Sequence, residues 1–389
     1  RTTMLKKIGI AGLVVVISLV PIAVWQSDKL VRLWAVNTLF SEERIVWNFS
    51  NMDALFETVP IPVSGDVTAL PDGDALALPD DWIDWLERRS VTGIVVLRAG
   101  AVVHESYHLG TGPDDLRISW SIAKSYLSGL FGVLLEQGAI ASIDDPVTDY
   151  APDLIGGAYD GVSIRDVLRM SSGVLFDEGY LDFWSDINKM GRVLALGGSM
   201  NGFAAALDDR FVAPGVEWKY VSIDTHVLGM VIEGATGRRV AELLGELILS
   251  PLGTSDDAYY ISDGYGTSFV LGGLNLTLRD YARMGEMFRL GGRFQGTQIV
   301  PSDWVEISTA PQANTEPGKL RYGYQWWIAA DAPEGEFLAR GIYGQYVFID
   351  RQSQTVVAVT GADRAFRDAG AFDDAMQMMR SLAARNREE

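Results

Sequence analysis

The chain has 389 residues, 48% hydrophobic and 21% charged, a globular composition that excludes a disordered chain and is long enough for one large domain or two interleaved ones. Its 51 acidic against 32 basic residues give a net charge of −19, which argues against a phosphate-backbone partner, and no Lys/Arg cluster offers a nucleic-acid footprint. With no cysteine, there is no disulfide framework, thiolate nucleophile or Cys-ligated metal.

Ile8 to Trp25 run for eighteen residues without a charge behind Lys6 and Lys7, long enough to cross a hydrocarbon core. Ile22-Ala-Val-Trp-Gln-Ser27 offers no convincing small-x-small cleavage site, so residues 1–26 are read as an uncleaved, single-pass transmembrane anchor with its N-terminus inside. The catalytic part is then expected outside a bacterial inner membrane, in the periplasm or beyond. Residues 27–80 carry Pro60-Ile-Pro62 and Pro71-Asp-Gly73 with little helical or strand period, and read as a membrane-proximal lead-in to a domain over 81–389.

Gly93 to His108 predict two strands joined at Arg98-Ala-Gly100. A helix is predicted from Ser121 to about Gly138, another over Ser163–Met170 ended by Ser171-Ser-Gly173, and helical signals dominate to about Leu252. An amphipathic helix covers Thr277–Phe288. Strand patterns return at Tyr324–Ala329, Glu336–Arg340, Gln345–Asp350 and Thr355–Thr360, and a helix over Phe372–Arg385 closes the pattern. Strands at both ends with helices between them imply an α/β (α+β) domain, one sheet built from both chain ends and a mostly helical lobe, with the active site between.

The chemistry centres on Trp120-Ser121-Ile122-Ala123-Lys124. Residues three apart share a helix face, so Lys124 can reach the Ser121 hydroxyl as its base, and a helix N-terminus favours a developing anion. Of seven lysines only Lys124 has a serine three residues before it. The pattern also fits a capping serine followed by a surface lysine, but Leu127, Leu130, Phe131, Leu134 and Leu135 make the helix a buried one. The base must be a neutral amine, which requires burial or nearby positive potential.

The sequence has three histidines, His104, His108 and His226, and no Gly-x-Ser-x-Gly elbow, which argues against a Ser-His-Asp hydrolase. His104 and His108 face the same way on a strand and are read as a solvated or packed face rather than a metal pair. Tyr220 lies ahead of the helix from His226 to Gly237; it is either a proton relay beside the lysine or a loop tyrosine packing on Trp218. Ala339-Arg-Gly-Ile-Tyr-Gly-Gln345 is either a strand end whose backbone N–H groups face a ligand or a simple hairpin bend.

In this order, with Gly272-Gly-Leu-Asn-Leu-Thr-Leu-Arg-Asp280, Tyr322-Gly-Tyr-Gln-Trp-Trp327 and Met170-Ser-Ser-Gly-Val-Leu-Phe-Asp-Glu-Gly-Tyr180, the chain over about residues 85–385 resembles the serine β-lactamase and penicillin-binding-protein superfamily. The likeness is to its class C-like branch, nearest the 6-aminohexanoate-dimer hydrolases and related esterases. It implies Ser121 as acylated nucleophile, Lys124 as base, Tyr220 as proton relay, and the N–H groups of Ser121 and Ile342 as oxyanion hole. It also implies substrate contacts at Tyr180, Ser222, Arg340, Gly341 and Tyr343, with no metal and no cofactor. Two positions depart: Tyr220-Val-Ser222 replaces Tyr-x-Asn, and Ala339-Arg340-Gly341 replaces Lys-Thr-Gly or His-x-Gly. The expected activity is a serine hydrolase acting on an amide or ester of a small molecule or short peptide. The alternatives are a D,D-peptidase or D-aminopeptidase, or a non-catalytic ligand sensor on the same fold.

Overall fold

The computed structural model describes residues 27–384; the expected anchor, residues 1–26, lies outside them. Among the described residues, no helix is long and apolar enough to cross a membrane. The strands in chain order are β1 (Thr58–Pro60), β2 (Val91–Arg98), β3 (Ala101–Tyr107), β4 (Arg117–Ile118), β5 (Tyr259–Ile261), β6 (Leu274–Leu276), β7 (Arg293–Phe294), β8 (Thr297–Gln298), β9 (Arg321–Tyr322), β10 (Trp327–Ile328), β11 (Glu336–Gly341), β12 (Gln345–Asp350) and β13 (Thr355–Gly361). The helices that position the site are α1 (Ser27–Thr38), α2 (Ile122–Glu136), α3 (Asp186–Ala195), α4 (Ser222–Thr236), α5 (Leu278–Arg289) and α6 (Ala371–Ala384).

The main sheet is antiparallel with strand order β3-β2-β13-β12-β11-β10-β9, so the early hairpin joins strands from the far end of the chain, as the sequence pattern requires. Both faces are covered, which explains why β2, β12 and β13 read as near-continuous apolar runs. Alternation along each strand sorts the side chains. Val95, Leu97, Ala339, Val347 and Val356 enter the large core shared with the helical lobe. Ile94, Val96, Leu338, Phe348 and Val357 enter a smaller core under α6.

α2 runs through the large core with almost every residue buried. Gly132 is required there, because a Cβ would lie 2.2 Å from the Trp304 ring. The expected helices at Ser163, Thr277 and the chain end all form, and Ser163 and Thr277 cap them by accepting from the N–H groups of Asp166 and Asp280.

Residues 27–80 differ from the expected lead-in of little regular structure. α1 and a short helix Ile45–Ser50 form, β1 pairs with β5, and Leu39, Phe49, Met52 and Ile61 are buried in the large core. Arg32 fixes α1 through Nε to the carbonyl of Ala195 at 3.0 Å and an ion pair with Glu57 at 2.6 Å. The segment was hard to read because its elements are short and its contacts are with residues some 200 positions away, such as the hydrogen bond from Asp53 N–H to the Tyr259 hydroxyl at 3.2 Å.

Candidate active site

The turn into α2 sets the centre of the site. Trp120 has φ 44°, a left-handed conformation that costs an ordinary residue about 1–3 kcal/mol. Its ring is held by Phe40 and Phe49 at centroid distances of 5.5 and 5.3 Å. Ser121 follows at the N-cap position of α2, yet its hydroxyl caps no backbone N–H. That hydroxyl lies 3.0 Å from Lys124 Nζ.

Lys124 is 1% exposed and also donates to the carbonyl of Leu271 at 2.6 Å. Burial pushes its pKa down to about 7, against the opposing pull of the Glu178 carboxylate. The reading of Lys124 as a surface lysine behind a capping serine therefore does not fit.

Tyr220 packs edge-on against Tyr322 and tilted on Trp327, with Lys124 Nζ 5.5 Å from its ring centre. Its hydroxyl has Ser121 and Ser222 as hydrogen-bonding neighbours; desolvation, then Glu178, raise its pKa, so the phenol keeps its proton. Trp218, the alternative packing partner, sits on the same two aromatic rings.

Gly341 ends β11 against the strand-to-helix turn. A Cβ there would stand 2.7 Å from the Ser119 carbonyl and 3.1 Å from Trp120 Cβ, so only glycine allows this approach. Ile342 and Ser121 consequently line one cavity of about 290 Å³. A hydroxyl, a neutral amine, a protonated phenol and backbone donors at a helix N-terminus are together the components of acyl transfer.

The remaining expected contacts divide. Tyr180 and Ser222 line the cavity, but both are already bonded inward: Tyr180 donates to Glu178 Oε1 at 2.6 Å, and Ser222 gives Glu178 its N–H at 3.0 Å and its hydroxyl. Arg340 is not brought to the cavity. Alternation on β11 turns it to the α6 face, where its guanidinium lies 4.3 Å from the Phe372 ring centre and 5.9 Å from that of Trp327. Nor does Tyr343 line the cavity; it stacks behind it on Phe40 at 4.6 Å.

Glu178 was not singled out from the sequence, and no local signal marks it, because its partner Ser222 is 44 positions away. Asp224 is a second such residue: buried on α4, it accepts from Tyr159 at 2.7 Å and Ser172 at 2.8 Å, and burial raises its pKa to about 7.

His104-Glu105-Ser106-Tyr107-His108 carries the letters His-Glu-x-x-His, so that motif is not absent from the sequence. The zinc motif needs a helix to bring both imidazoles to one ion. Here the run lies on β3 and its end; both Nε2 atoms bond the Ser106 hydroxyl at 3.0 Å, and Glu105 pairs with Arg279 at 2.6 Å. His104 also packs edge-on against Trp82, a packed strand face as expected. Among the described residues, no group of three or more His, Cys, Asp or Glu could hold a metal.

The β-lactamase family model matches residues 83–375. The 6-aminohexanoate-dimer hydrolase of Paenarthrobacter ureafaciens is 31% identical over 330 residues, 80% of this chain and 83% of that protein. Among solved structures, a Bacillus anthracis protein named as a 6-aminohexanoate-dimer hydrolase aligns with a TM-score of 0.78 at 22% identity, over 89% of this chain and 95% of its own. A D-stereospecific amidohydrolase from Streptomyces aligns with a TM-score of 0.54 at 19% identity, over 77% and 98%. At these identities the structural likenesses establish the fold.

Proposed function

Because the chain belongs to the β-lactamase family and is a serine hydrolase, we propose that it cleaves an amide or ester bond of a small molecule or short peptide through an acyl-enzyme on Ser121. The observation that carries this reading is the 3.0 Å contact between the Ser121 hydroxyl and a buried Lys124 whose pKa lies near 7. In the neutral form Lys124 accepts the Ser121 proton as the oxygen attacks the substrate carbonyl. The N–H groups of Ser121 and Ile342 receive the developing oxyanion. Tyr220, still protonated, gives its proton to the leaving amine or alkoxide and is restored through Lys124. Water enters by the reverse route and releases the acid.

Anchoring by residues 8–25 at the outer face of a bacterial inner membrane belongs to the same proposal; its support is the uncharged run behind Lys6 and Lys7. The test of the chemistry is fluorophosphonate labelling with peptide mapping, followed by steady-state turnover of p-nitrophenyl esters and amides. Label on Ser121, lost in Ser121→Ala together with turnover, is expected. Label on another serine overturns the assignment, and label on Ser121 without multiple turnovers makes the protein a ligand sensor.

A further inference from the structure

The cavity beside Ser121 is built from residues the catalytic chemistry does not use. α3 presents Ile187, Met190, Gly191 and Leu194 to it, at the i, i+3, i+4, i+7 spacing of one helix face. α1, which packs on α3, supplies Val36, and Phe56 and Phe269 also line the wall. At the mouth, the lining continues to the surface through Leu181, 86% exposed, and Phe183.

The amide donors of Asn37 and Asn188 and the hydroxyls of Tyr180 and Ser222 are already engaged. Asn37 donates to the Leu33 carbonyl at 2.8 Å, and Asn188 to the carbonyls of Tyr180 and Asp182 at 3.0 and 2.8 Å. Tyr180 and Ser222 are held by Glu178. Among the described residues, no carboxylate lines the cavity, and the one cation that does, Arg192, stands 4.1 Å from the Phe183 ring centre. An ammonium group placed here would lose its water and meet no lining carboxylate in exchange.

We propose that this cavity is an acyl pocket, selecting amides or esters whose acyl part is an uncharged, largely unbranched chain. The inference rests on the acyl-enzyme reading above. The volume of about 290 Å³ accommodates about ten groups of the size of a water molecule, which is close to that of a methylene. A medium-length chain therefore fits, with the scissile carbonyl at Ser121 and the chain along the apolar face of α3. A linear amide with an ammonium at one end and a carboxylate at the other, such as the 6-aminohexanoate dimer, finds no counter-charge for its amine.

The experiment is a series of p-nitrophenyl esters from acetate to dodecanoate, with 6-aminohexanoate dimer hydrolysis measured alongside. We expect kcat/KM to climb about fourfold per added methylene, to peak near octanoate, and to exceed that for the dimer by at least a hundredfold. Gly191 provides the variant, since a Cβ there meets nothing within 4 Å and the residue lies inside a helix where larger side chains are favoured. Gly191→Phe should move the optimum to shorter chains and cut the octanoate-to-acetate ratio at least tenfold, whereas Gly191→Ala should leave the optimum in place. A flat or falling chain-length profile with Ser121 still labelled, an unmoved optimum in folded Gly191→Phe, or preference for the dimer overturns the acyl pocket and leaves the serine chemistry standing. Loss of labelling from Ser121 in the wild type removes both.

Discussion

Glu178 holds Ser222 by two bonds, accepting its backbone N–H and its hydroxyl at the first turn of α4. The same carboxylate raises the pKa of Lys124, opposing the larger effect of burial. It therefore acts as a positioning residue with an electrostatic signature. Since only the neutral amine accepts the serine proton, kcat/KM for an ester should fall as pH drops through about 7, the value that burial gives Lys124. In Glu178→Gln the opposing pull is gone, Lys124 loses its proton more readily, and the acid limb should move to lower pH. A pH profile of kcat/KM checks both. An unmoved limb in the folded variant would show that another group governs it.

Lys124 also predicts a conflict between activity and stability. Its folded pKa of about 7 lies below its ordinary value of 10.5, so the unfolded chain binds more protons between those values and stability rises with pH across that window. Below pH 7 the full cost of holding a desolvated ammonium applies. Lys124→Met should lower turnover about 10²–10⁴-fold. The change in Tm on substitution should be more favourable at pH 6 than at pH 10, although Leu271 loses a hydrogen-bond donor at both. Calorimetry at the two pH values measures this, and an equal or reversed difference contradicts a buried, depressed lysine.

What could be read from the sequence follows from how local each signal is. Ser121 and Lys124 meet within one helical turn, and the apolar run after them announces that the turn is buried, so the pair was legible. So were β2, β3 and β11 to β13, whose strand runs are long and, in all but β11, contain β-branched residues. Gly341 was legible as a glycine strand end, but its reason, contact with the Ser119 carbonyl, lies over 200 positions away. Arg340 shows the opposite case: strand alternation already placed it across the sheet from Ala339, while family position suggested a substrate contact, and the alternation prevailed.

Truncation separates the anchor from the domain. Removing residues 1–26 should leave a folded, active enzyme, since Ser121, Lys124, Tyr220 and the residues lining the cavity all lie within residues 27–384. Removing residues 1–56 should not, because Leu39, Ile45, Phe49 and Met52 leave the core and Phe40 leaves Tyr343. Each buried side chain of this size contributes about 1.5–3 kcal/mol, and several together rival the whole stability of a domain, about 5–15 kcal/mol. Circular dichroism and ester turnover of the two truncations decide the matter; a folded, active chain starting after residue 56 would restore the lead-in reading. Release of the full-length protein from membranes by carbonate washing would argue against a spanning helix.

The last prediction concerns β-lactams. Ala339 lies on β11 opposite Val347 and is fully buried on the face toward the helical lobe. The lysine that the resemblance would place here supplies positive charge beside the acyl carbonyl, and a methyl group supplies none. Arg340 does not replace it, because its guanidinium stacks on Phe372 across the sheet. Nitrocefin should therefore be turned over more slowly than a short-chain nitrophenyl ester, whose hydrolysis needs only Ser121, its base and backbone donors. Ala339→Lys should not repair the defect: a lysine inserted at a fully buried position must either lose its proton or remain charged without water, so Tm should fall and nitrocefin turnover should gain less than tenfold. The measurement is kcat/KM for both substrates in the wild type and the variant, with Tm recorded for each. Wild-type nitrocefin turnover equal to that of the ester would overturn this account of position 339.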